Sequence, residues 1–91
     1  MTVDSASFVP LDTPLGPWVM RVIIKGLNFE TRSAPIVAKV GELDVDLIQV
    51  APDGTIVSGL IAEVPTPGSR LKIGYMNDAE LIDTTVTFPG Q

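Results

Sequence analysis

Histidine and cysteine are both missing from the 91 residues. No disulfide can form, and the nitrogen and sulfur ligands that zinc prefers are unavailable. The same absence removes the side chains that most often act as base or activated nucleophile near neutral pH. None of the serines sits in a Gly-x-Ser-x-Gly elbow. Lys25, Lys39 and Lys72 each fall on what reads as a solvated strand face. The expectation is a protein that is not an enzyme and holds neither metal nor cofactor. Carboxylates do not change it. Asp44 and Asp46 read as one water-facing strand face, and Asp78, Glu80 and Asp83 form an acidic cluster without the glycine-containing spacing of an EF-hand.

Positive charge is also scarce. Six basic residues stand against eleven acidic ones, a net charge of −5. Arg21, Lys25, Arg32, Lys39, Arg70 and Lys72 are scattered singly, whereas nucleic-acid binding needs a basic stripe that releases phosphate counterions. An anionic membrane surface is disfavoured on the same ground. No apolar run approaches the roughly 20 residues of a spanning helix. The first residues, M-T-V-D-S-A-S-F, lack the basic and apolar regions of a signal peptide. A cytoplasmic location is expected, or an extracellular one if the chain is an excised domain.

What the chain does contain is punctuation. Glycine and proline number eight each, and between them lie runs of Val, Ile and Thr. Short strands with turn signals at about 8–12-residue spacing predict an all-β sandwich or barrel. No segment sustains a helical apolar period over three turns, though Asn77 and Glu80 have capping-box spacing for one short helical turn. Residues 1–17 carry Pro10, Pro14 and Pro17, which predicts an extended lead-in or an edge strand. Strands are then predicted over 21–25, 36–40, 44–50, 55–64, 69–75 and 82–88. A-P-D-G-T at 51–55 predicts the turn of a β-hairpin. A bulge is expected at Ser58-Gly59, where apolar residues fall on both faces. The whole chain, 1–91, reads as one domain whose core includes Val22, Ile24, Phe29, Val40, Leu47, Leu71, Ile73, Val86 and Phe88.

The stretch V-I-I-K-G-L-N-F at 22–29 narrows the choice. A strand that stops at Gly26 and resumes with Phe29 fits a chain leaving one sheet and plugging the end of the core as it crosses. With the preceding residues, G-P-W-V-M-R-V-I-I-K-G-L-N-F resembles the opening motif of the immunoglobulin-like, plexin, transcription-factor (IPT/TIG) domain. V-A-K-V-G-E at 37–42, D-G-T-I-V at 53–57 and V-P-T-P-G-S-R-L-K-I-G-Y at 64–75 are similar to its later strands and corners. The likeness runs from Leu15 to Phe88. The Gly-Gly usual after Gly-Pro is replaced by the region of Trp18, Val19 and Met20. The resemblance implies an immunoglobulin-like two-sheet sandwich of about seven strands. It also implies service as an interaction or spacer module.

The function expected is therefore a non-catalytic interaction or assembly module that binds a protein partner or self-associates. Three residues are candidates for the contact. Val57 and Ile61 share one face of a strand whose other face carries Ile56 and Leu60. Trp18 follows Pro17 at a strand entrance, where it either covers the open end of the sandwich or anchors a partner. The alternative is a carbohydrate-binding or accessory module of a larger enzyme system, with Trp18 as the stacking ring.

Overall fold

Proline and glycine set where the strands stop, and alternation sets what they bury. The computed structural model describes residues 2–30, 34–78 and 80–88, without the side chains of Pro14, Leu15 and Thr85. Among the described residues eight strands form: β1 (Thr2–Leu15), β2 (Trp18–Leu27), β3 (Ile36–Val40), β4 (Leu43–Asp44), β5 (Asp46–Val50), β6 (Ile56–Ile61), β7 (Arg70–Tyr75) and β8 (Ile82–Thr87). They make two four-stranded antiparallel sheets, ordered β1-β2-β6-β5 and β4-β3-β7-β8. This is an all-β, immunoglobulin-like sandwich, with the two-residue β4 added to the seven strands expected. The proline-rich amino-terminal stretch is an edge strand, the position in a sheet that tolerates proline.

The core lies between the sheets. Val22, Ile24, Val57 and Ile61 face inward from one, and Ala38, Val40, Leu71 and Ile73 from the other. Burying each of the larger aliphatics contributes roughly 1.5–3 kcal/mol. Val86 and Phe88 pack on this core while half-buried, and Phe88 meets Phe8 edge to face with ring centroids 5.2 Å apart.

The crossing at 26–29 works by close approach. Gly26 lies inside β2, opposite a register shift in β1 between Val3 and Ser5. A Cβ at Gly26 would collide with the Thr2 carbonyl oxygen and lie 2.9 Å from the Phe29 ring. The left-handed conformation belongs instead to Asn28, with φ 64°. Phe29 is then buried, and its N–H donates to the Gly54 carbonyl at 3.0 Å. Gly54 has φ +73°, and a Cβ there would stand 2.7 Å from the Phe29 carbonyl oxygen. The corner and the β5–β6 turn therefore lock together. Gly26→Val should cost on the order of 1–3 kcal/mol, read as a fall in thermal midpoint. An unchanged midpoint would show that β1 does not press on this glycine.

Three expectations are corrected. Residues 44–50 are not one strand: Val45 carries the chain from the second sheet to the first, so Asp44 and Asp46 lie in different sheets. Leu47 is not core. One extra residue between Asp46 and Gln49, relative to β6, makes a bulge, and Leu47 sits in it with φ 52° and 60% exposure. Val45 and Ile48 take the inward positions on either side. Finally, β6 itself is unbulged against β2, so its alternation is unbroken from Ile56 to Ile61. Gly59 faces the neighbouring bulge: a Cβ there would strike Val45 and lie 2.9 Å from the Asp46 carbonyl oxygen. The irregularity expected at Ser58-Gly59 thus lies across the ladder, in β5.

Candidate interaction surface

The unbroken phase of β6 decides which face can meet a partner. Val57 and Ile61 are 1% and 0% exposed, inside the core. They are unavailable to another molecule, which corrects their assignment as contact residues. Their buried alternation partner is the second sheet. The residues on the other side of β6 are Ile56, Ser58 and Leu60, in register with Lys25, Ile23 and Arg21 of β2; Leu60 is nonetheless buried, at 6% exposure, which leaves Ile56 exposed and Ser58 half-buried.

The outer face of the β1-β2-β6-β5 sheet can be read row by row from the pairing. Val9, Arg21, Leu60 and Asp46 form one row, and Ser7, Ile23, Ser58 and Gln49 the next. Ser5, Lys25 and Ile56 form the third. Ile56 is 39% exposed, and its diagonal neighbours on β2 are Ile23 and Leu27, the latter 54% exposed. Diagonal cross-strand neighbours lie about 7–8 Å apart, within reach of one another. Ile23 is half-buried between two serines, too short to roof it over. These three aliphatics make one apolar strip on an otherwise polar face.

Trp18 stands at the lower end of the same sheet. The indole is half-buried, and its N–H donates to Asp46 Oδ2 at 2.9 Å. Its ring also flanks the turn glycine Gly16, whose φ is +58°. Val19, its neighbour, packs on the core. The tryptophan therefore tethers the β1–β2 turn to β5, across the cross-strand partner of Leu60.

The acidic groups are mostly occupied locally. Asp44 pairs with Lys39 at 3.6 Å, and Asp83 with Arg70 at 3.1 Å. Asp78 Oδ2 accepts the Tyr75 N–H at 2.9 Å, closing the turn after β7. Asp53 accepts from the Thr55 hydroxyl and N–H, which holds its carboxyl below the usual carboxylate range. Among the described residues, no group of three or more carboxylates converges as a metal site would require. Nor is any helix there long and apolar enough to cross a membrane.

A second apolar feature is a cleft of about 240 Å³ at the open seam between β1 and β8, lined by Thr2, Val3, Ile73, Ile82 and Thr84. Ile82 pairs with Ile73 and is half-exposed. Sequence reasoning found the surplus of apolar side chains on β6, Ile56 and Leu60 among them, but not which of its two faces was the outer one. That is set by the unbulged pairing of β6 with β2. Comparison with protein-family models, curated proteins and solved structures returns no match.

Proposed function

We propose that the chain is a non-catalytic interaction module of the IPT/TIG kind, binding a protein through the outer face of the β1-β2-β6-β5 sheet. The observation that carries this reading is the strip of Ile23, Leu27 and Ile56 on a solvated sheet face, with Ile56 in diagonal reach of the other two on either side of Lys25. Single exposed aliphatics are ordinary on a protein surface, but adjacent ones are less so. Burial of such a cluster against a partner supplies the favourable term that association needs. A partner protein and a second copy of the chain both fit this reading. The carbohydrate alternative has less support, because Trp18 is a single half-buried ring whose N–H is already committed to Asp46.

The test is the double variant Leu27→Thr with Ile56→Thr, which keeps β propensity and net charge. Its stability should lie within about 0.5 kcal/mol of wild type, as for other surface changes. Wild-type protein should show a mass that rises with concentration in sedimentation or should retain a partner when immobilised, and the double variant should lose that association. A variant that associates as wild type does would overturn this face as the contact. Soluble-glycan titration, followed by fluorescence of the single tryptophan, checks the carbohydrate alternative on the same samples.

A further inference from the structure

The two sheets treat their cations differently. On the outer face of β4-β3-β7-β8, Asp44, Lys39, Lys72 and Asp83 form one cross-strand row. Carboxylates thus flank the lysines on both sides, and Lys39–Asp44 and Arg70–Asp83 are in contact. On the outer face of β1-β2-β6-β5 the one carboxylate in a cross-strand row with the cations, Asp46, stands across Leu60 from Arg21 and also accepts the Trp18 N–H. Arg21 and Lys25 make no ion pair among the described residues. A chain of net charge −5 therefore presents two cations without a contacting carboxylate on the same face as its aliphatic strip.

The spacing is regular. Arg21, Ile23 and Lys25 point the same way from β2, so the two cations lie about 13 Å apart along the strand with an isoleucine between them. An extended segment has the same repeat. Carboxylates four residues apart on one of its faces, with an aliphatic residue midway, would meet cation, aliphatic and cation in turn. Ser7 and Ser58 flank Ile23 and leave room for the incoming side chain.

From this we infer that the outer face of β1-β2-β6-β5 takes an acidic, aliphatic-rich extended protein segment, held by Arg21 and Lys25 around the strip of Ile23, Leu27 and Ile56. The inference rests on the protein-binding reading above and adds the chemistry of the partner. Complementary charge at a rim contributes mainly to partner choice and association rate, with the apolar strip supplying most of the affinity.

The probe is a fluorescein-labelled peptide repeating Glu-Thr-Val-Thr, which in extended form shows Glu and Val in turn along one face, with a Lys-Thr-Val-Thr repeat as the opposite-charge control. Wild-type protein should bind the first saturably by anisotropy and the second far more weakly. Arg21→Glu with Lys25→Glu should weaken the glutamate peptide by about tenfold or more while the circular dichroism stays that of wild type, and added salt should weaken it similarly. Leu27→Thr with Ile56→Thr should weaken both peptides. Equal binding of the two peptides, or indifference to charge reversal and salt, overturns the acidic partner but leaves the protein-binding face standing. Absence of any peptide binding to wild type overturns the inference. So does binding of phosphatidylserine vesicles in place of the peptide, which would give the face to a membrane. The protein-binding reading fails separately, if the two threonines leave association with the retained partner unchanged.

Discussion

Val57→Thr combined with Ile61→Lys should leave the chain unfolded at room temperature. Both side chains lie in the fully enclosed layer between the sheets. A hydroxyl at Val57 would be buried with a cost of about 1–3 kcal/mol unless it found a partner. An unpaired ammonium at Ile61 belongs to the short list of changes that exceed about 4–5 kcal/mol. Total stability for a small domain is only about 5–15 kcal/mol. A chain of this length buries just roughly 60–65% of its unfolded surface and has no cross-link to fall back on. Far-ultraviolet circular dichroism and a two-dimensional amide spectrum check the outcome. A folded double variant with wild-type melting would mean that β6 is shifted by one residue and its other face is the inner one.

Leu71→Ala and Ile73→Ala should each cost roughly 2–5 kcal/mol, while Leu47→Ala stays within about 0.5 kcal/mol of wild type. The first two come from the alternating inward face of β7, fully enclosed and paired in register with Val40 and Ala38 of β3. In a domain of 60–100 residues each kcal/mol moves the thermal midpoint by about 4–8 °C, so the contrast is wide. Leu47 is the informative control. By alternation alone it belongs with Val45 on the buried side, and only the β5 bulge turns it to water. A large loss of stability on its truncation would place it back in the core.

That leucine also marks where sequence reasoning stopped. Strands β3 and β7 were legible almost to the residue, because clean alternation is bounded by Pro35, Gly41 and the P-T-P-G corner at 65–68. The β5–β6 hairpin followed from Pro52, Asp53 and Gly54, each suited to its turn position for a separate reason. The β4–β5 break was not legible. Asp44, Val45, Asp46 and Leu47 alternate as one strand would, and nothing local announces that Val45 passes between sheets. Nor does composition reveal a bulge in a neighbouring strand. Gly59 was a visible sign of irregularity, but the crowding it relieves comes from Val45 and the Asp46 carbonyl, which only the fold brings close. The candidate face was half-read for a different reason. The apolar surplus was evident, and its assignment to Val57 and Ile61 failed because the local pattern cannot fix the phase of a strand that is apolar on both sides.

The strand order has a kinetic corollary. β2 pairs with β1, its neighbour in the chain, and on its other side with β6, which is synthesised only after β3, β4 and β5. The first pairing is a local hairpin; the second requires closure of a long intervening loop before any contact offsets its entropy. Folding of such a topology falls in the millisecond-to-second range, the slow end for domains of this size. A β1–β2 hairpin formed before β6 arrives would present Ala6, Phe8, Val22 and Ile24 on one side, with no opposing sheet to cover them. The hazard of aggregation is therefore concentrated in the refolding chain, and rapid dilution at low protein concentration favours recovery of the native sandwich.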